Sequence, residues 1–151
     1  MKIIKNITFF LVLGIALNFL CTMLKNNYLI NFLDADIILI FIPLLAINLT
    51  TSSFIIGKLS DLTEKYGSDF SHVYKELKIA LFEQIALIAV ATLCLILKNS
   101  CYFLSLGPNY LFAINSVLLG AFIYYLDILR DTGISIFQIF EALEEKRKKN
   151  Q

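Results

Sequence analysis

Four apolar runs, each close to the length of a membrane crossing, are spaced along the 151-residue chain at 7–24, 37–56, 79–97 and 110–129. A helix needs about 20 mainly apolar residues to cross the hydrocarbon core of a bilayer, so each run predicts one transmembrane helix. Between the second and third runs the pattern changes rather than stops. Leu59, Leu62, Tyr66, Phe70, Val73, Tyr74 and Leu77 recur at helical spacing through the polar segment 58–78. Gly67 interrupts it, and Ser68 or Asp69 can cap a new helix. The spacing predicts a helical hairpin that prolongs spans two and three; the alternative is an amphipathic loop lying on the headgroups. After the fourth run, Asp131 or Thr132 can start a tail helix over 131–149. Ile134, Ile136, Phe137, Ile139, Phe140 and Leu143 form its apolar stripe, with Ser135, Gln138, Glu141, Glu144 and Glu145 mostly opposite. The remaining loops, 25–36 and 98–109, are short caps, the second broken by Gly107-Pro108. The fold class expected is all-α: one integral membrane four-helix bundle with a cytoplasmic helical hairpin extension and a C-terminal amphipathic helix.

Composition agrees, and charge adds an orientation. The chain is 58% hydrophobic and 17% charged, against about half and about a quarter in soluble domains. Lys2, Lys5, Lys58, Lys65, Lys75, Lys78, Arg130 and Lys146–Lys149 fall on one side of a four-span arrangement, and only Lys25 and Lys98 on the other. The positive-inside bias places both termini and the middle loop in the cytoplasm. The start, Met1-Lys-Ile-Ile-Lys, has the look of a signal peptide, but Asn18, Phe19 and Leu20 before Cys21 lack the small residues of a processing site. An uncleaved first span is expected.

Polar residues inside the spans are costly and ask for partners. Glu83 lies about 7.5 Å into span three, counted from Lys78 at about 1.5 Å per residue, with Gln84 beside it. Asn48, Thr51 and Ser52 on span two and Asp127 on span four complete an intramembrane polar cluster in the inner half. It serves either as hydrogen-bonding glue, at about 0.6 kcal/mol per bond, or as an ion or proton path. A path needs polar groups through the full thickness, and the outer half offers only Asn18, Asn115 and Ser116, without an acid, so glue is the stronger reading. Glu83 can also reach Lys78 or Arg130 by snorkelling. Ser116-x-x-x-Gly120 gives span four a small-residue packing face of the kind that mediates helix association, and a homo-oligomer would bury more of the polar surface.

Catalytic signatures are missing. The sequence contains no P-loop, GxSxG, HExxH or Cys/His metal spacing. His72 is expected on the surface. Cys21, Cys94 and Cys101 read as small apolar residues toward the outer face, with a disulfide through Cys101 left open. The expectation is a non-enzyme without cofactor. The basic run Lys146–Lys149 is too small to argue for direct nucleic-acid binding. The surfaces large enough for a partner are the hairpin and the tail, where Tyr66, Phe70, Tyr74, Phe137, Phe140, Lys146 and Arg147 are the candidate docking residues.

The four runs, the segment 58–78 and Leu129-Arg-Asp-Thr-Gly-Ile-Ser-Ile-Phe137 after the last span give an organisation that resembles the membrane subunits of bacterial anti-phage systems, most nearly that of the Kiwa system. The resemblance covers the whole chain as organisation and matches no functional residue individually. It implies a sensor or scaffold in the bacterial inner membrane, homo-oligomeric (a tetramer being one such assembly), that holds a DNA-binding effector protein in the cytoplasm near the site of phage injection. The competing expectation is a small ion channel, holin-like pore or transporter using the polar inner half of the bundle.

Overall fold

The computed structural model describes the backbone of residues 2–66, 70–100 and 107–149, and most of the side chains within them. These residues form four helices, α1 (Lys2–Met23), α2 (Tyr28–Tyr66), α3 (Ser71–Lys98) and α4 (Pro108–Lys149), and no strand. Each helix is long and apolar enough to cross a membrane. Their outward faces are oily: Phe9, Val12, Phe19, Leu39, Phe82, Leu93 and Ile96 are all more than half exposed. Such a surface is unfavourable in water and carries no such penalty in hydrocarbon. The basic end of the bundle, where α1 begins, α2 gives way to α3 and α4 finishes, is opposed by a turn end, where α1 meets α2 and α3 meets α4.

The connection between α1 and α2 is tighter than the sequence suggests. Lys25 adopts φ 50°. The Asn26 N–H bonds to the Cys21 carbonyl at 3.0 Å, and the Lys25 N–H to that of Thr22 at 3.2 Å. This is a Schellman termination with lysine in the place glycine usually takes. Asn26 Oδ1 then accepts the Tyr28 N–H at 2.9 Å, satisfying one of the free donors of the next helix. The segment 25–36, expected as a loop, is therefore helical from Tyr28 onward.

At the other end, α4 runs unbroken through Asp131 and Thr132, where a new helix was expected to start. The hydroxyls there turn back on their own helix: Thr132 Oγ1 donates to the Ile128 carbonyl at 3.0 Å and Ser135 Oγ to that of Asp131 at 2.9 Å. Neither acts as a cap. The N-cap of α3 is Phe70, whose side chain cannot cap the helix; the expected punctuation at Gly67, Ser68 and Asp69 lies outside the described residues. With 39 and 42 residues, α2 and α4 are each about 60 Å long, twice the thickness of about 30 Å that hydrocarbon requires.

Helix α4 is the hub. It packs on α1, α2 and α3, whereas α1 lies almost wholly against α4. The main core, toward the turn end, joins Leu33, Ile37 and Phe41 of α2 to Ala91 and Cys94 of α3 and Ile114, Leu118 and Tyr125 of α4. A smaller core at the basic end joins Ile55, Leu59 and Leu77, covered by Phe70, Val73, Tyr74 and Ile136. A third, of Phe10, Tyr124 and Ile128, seals α1 to α4.

Candidate functional site

The inner polar residues do not form a single cluster. Glu83 and Gln84 are neighbours on α3 and so point about 100° apart around the helix axis. Gln84 turns toward α2, where its Oε1 accepts from Asn48 Nδ2 at 2.7 Å. Asn48, Gln84 and Ser52 are each at most 2% exposed. Beyond that one bond, Asn48 Oδ1, Gln84 Nε2 and Ser52 Oγ have no hydrogen-bond partner among the described residues. Thr51 is half-buried, and its neighbours Thr50 and Ser53 spend their hydroxyls on their own helix, donating to the Ala46 and Leu49 carbonyls.

Glu83 turns the other way, into a cavity of about 610 Å³ between α1, α3 and α4 at the basic end. Four carboxylates line it: Glu76 and Glu83 from α3, Asp127 and Asp131 from α4. Arg130 does not reach Glu83. Its Nη2 bonds to Asp127 Oδ1 at 2.7 Å and to Asp131 Oδ1 at 2.9 Å. Lys78 is exposed. The Tyr124 hydroxyl instead lies beside Glu83, with Asn6 on the same hydroxyl, and all three line the cavity. Tyr124 is 5% exposed, its ring stacked on Phe10 at 4.9 Å, and its hydroxyl is buried without a partner at hydrogen-bonding geometry. Asn6 and Tyr124 carry no motif. Helical arithmetic from Glu83 and Asp127 finds the depth, but not which residues of α1 complete the wall.

A third polar group sits at the turn end. Lys98 Nζ bonds to Asp34 Oδ2 and donates to Asn115 Oδ1 at 2.7 Å, tying α3 to α2 and α4. Lys98, expected only to mark the outer side, makes this bridge because Asp34 lies on helix α2 rather than in a loop. The nearby Asn18 of α1 donates from Nδ2 to the Phe112 carbonyl at 2.8 Å and to Ser116 Oγ at 2.9 Å. Ser116 and Gly120 thus face Asn18 and Gly14 of the same chain, and the small-residue stripe expected to mediate association is occupied by α1.

The candidate docking residues divide. Phe70 and Tyr74 pack into the smaller core and are half-buried. Phe137 and Phe140 are 71% and 50% exposed on α4. The side chains of Tyr66, Lys146 and Arg147 lie outside the described residues. His72 is exposed, 3.8 Å from Glu76. Cys21 and Cys94 are free thiols, and Cys101 lies outside the described residues. Among the described residues, no three acidic, histidine or cysteine side chains converge to hold a metal ion.

The fold defines a four-span helical bundle of membrane type. No protein-family model matches the chain, and no curated protein or solved structure matches it either.

Proposed function

We propose that this protein is a non-enzymatic membrane scaffold whose basic end projects into the cytoplasm and docks a soluble partner protein. The observation that carries the reading is the pairing of the smaller core with the bare aromatics beyond it. Ile55, Leu59, Leu77 and Ile136 hold the ends of α2, α3 and α4 together, so that α4 continues as a supported helix. Phe137 and Phe140 then stand exposed on it, one turn apart. From Arg130 to its end at Lys149 α4 advances about 30 Å, which is long enough to form an amphipathic arm outside the headgroups. Exposed aromatics on such a helix are the usual anchors for a groove on a partner. The lopsided lysine distribution favours the cytoplasm for this end. The organisational resemblance to Kiwa membrane subunits supplies a setting: an inner-membrane sensor of an anti-phage complex that holds a DNA-binding effector. With the Ser116–Gly120 stripe already occupied within the chain, homo-oligomers would form through the other apolar faces.

The test is affinity purification from native membranes, comparing the wild type with Phe137→Ser/Phe140→Ser and with a chain truncated after Ser135. The scaffold reading expects one soluble protein at near-equal amounts with the wild type, and its loss from both variants while their membrane insertion is kept. An undiminished yield with both variants, or no such protein with the wild type, would overturn it.

The acidic cavity favours a second reading, a small channel, holin-like pore or transporter. Within one chain the route is closed toward the turn end by the core around Phe41 and Tyr125, whose rings stack at 4.1 Å. Liposome flux that Glu83→Gln abolishes, with assembly size unchanged, would favour this reading over the first.

A further inference from the structure

The structure carries a second feature that scaffolding does not use. We propose that the cavity at the basic end is a binding site for an elongated organic polycation, a polyamine-like molecule whose separate ammonium groups meet separate carboxylates.

Three observations converge. The first is size. At about 610 Å³ the cavity falls in the range of small-molecule sites, about 300–1,000 Å³, and is far larger than a bare ion requires. The second is how the charge is distributed. Glu76 and Glu83 are seven residues apart on α3, about 10 Å along the axis, and Asp127 and Asp131 are one turn apart on α4, about 6 Å. No three of them converge on a point that would hold a metal ion. Negative charge is spread along the cavity, with Leu77, Ala80 and Ile128 between the carboxylates. Methylene segments suit those apolar walls, and ammonium groups suit the carboxylates, each as a charge-assisted hydrogen bond. The third is Tyr124. It is only 5% exposed and lines the cavity, and its hydroxyl, though beside Glu83 and Asn6, meets neither at hydrogen-bonding geometry. A buried hydroxyl without a hydrogen bond is costly, and an N–H donor entering beside Glu83 would satisfy it. Arg130 answers only part of the negative charge: it engages Asp127 and Asp131 from a side chain that is 65% exposed, and leaves Glu83 to the occupant. The exposed Lys5, Lys75 and Lys78 form no ion pair among the described residues.

The site is tested with spermidine on the full-length protein in nanodiscs of neutral lipid, by calorimetry and by thermal denaturation. Spermidine is expected to bind saturably and to raise Tm, while magnesium at matched ionic strength does neither. Glu83→Gln is expected to weaken binding about tenfold or more, the factor implied by losing one charged hydrogen bond. Tyr124→Phe should weaken it less, with Tm in the absence of spermidine unchanged or raised. Glu141→Gln, exposed on α4 outside the cavity, should bind as the wild type does and controls for net charge. Binding equally displaced by magnesium, or equal in Glu83→Gln and Glu141→Gln, would overturn the proposal. Because the readout needs no partner protein, failure here leaves the scaffold reading untouched, and the reverse also holds.

Discussion

Gly14 and Gly120 meet backbone to backbone where α1 crosses α4. A Cβ on Gly14 would lie 2.2 Å from the Ser116 carbonyl oxygen and 2.6 Å from the Gly120 nitrogen, and one on Gly120 would lie 2.9 Å from the Phe10 carbonyl oxygen. All three are backbone atoms, which no rotamer change can move aside. Since α1 has almost no other neighbour among the described residues, this crossing decides whether α1 stays attached. Gly14→Ala is expected to destabilise the bundle by about 1–3 kcal/mol, the usual cost of overpacking, seen as a lower Tm in detergent. Gly57→Ala, with nothing within 4 Å, should leave Tm unchanged or raise it, since alanine favours helix by about 1 kcal/mol.

The bridge between Lys98 and Asp34 is expected to behave as a partly buried pair. Their side chains are 15% and 29% exposed, and Lys98 also holds Asn115. Asp34→Asn should lower stability by about 1–3 kcal/mol, because it leaves an ammonium without its counter-charge. Replacing both, as Asp34→Leu with Lys98→Met, should recover most of that loss. Denaturation of Asp34→Leu, Lys98→Met and the double, read as a mutant cycle, measures the coupling. Additive losses would show that the pair contributes nothing.

How far the fold could be read in advance depends on which forces set it. Four crossings follow from apolar runs such as 37–56, because the bilayer selects for length and hydropathy, and both are local properties. Helix ends do not follow so directly. Asp34 and Asp36 read as loop residues until Lys98, sixty-four positions away, is seen to neutralise the first of them. Thr132 reads as a cap until its hydroxyl is found on the Ile128 carbonyl. Depth along the helix locates Glu83, and Asp127 stands near the inner end of span four, but one-dimensional depth carries no azimuth. It therefore merged the Asn48–Gln84 pair with an acidic cavity that faces another helix. The Ser116–Gly120 stripe was legible as a packing face; that Gly14 fills it from within the chain was not, because α1 has no comparable stripe beyond that single glycine and Asn18.

The Asn48, Gln84 and Ser52 group separates paired from unpaired polar atoms. Ser52 Oγ is buried without a partner, so Ser52→Ala removes only a desolvated group and should leave stability unchanged or raise it by up to about 1 kcal/mol. Gln84→Leu strips Asn48 of its partner and should cost about 1–3 kcal/mol. Adding Asn48→Leu should then restore much of it, since replacing both members of a buried pair is close to neutral. Chemical denaturation in a mild detergent checks the order. A large loss from Ser52→Ala would mean that its hydroxyl is satisfied in the membrane.

Orientation underlies the docking reading and can be measured apart from it. Asn27 lies in the turn between α1 and α2, and Glu141 lies on the exposed face of α4 near the basic end. In a chain carrying Cys21→Ala, Cys94→Ala and Cys101→Ala, single cysteines at these two positions report opposite sides. A maleimide that cannot cross membranes, applied to intact cells, should label Asn27→Cys at once. It should label Glu141→Cys only after permeabilisation, as the positive-inside bias predicts for the basic end. If Glu141→Cys is labelled in intact cells and Asn27→Cys is not, then Phe137 and Phe140 face away from the cytoplasm, and a soluble cytoplasmic partner could not reach them.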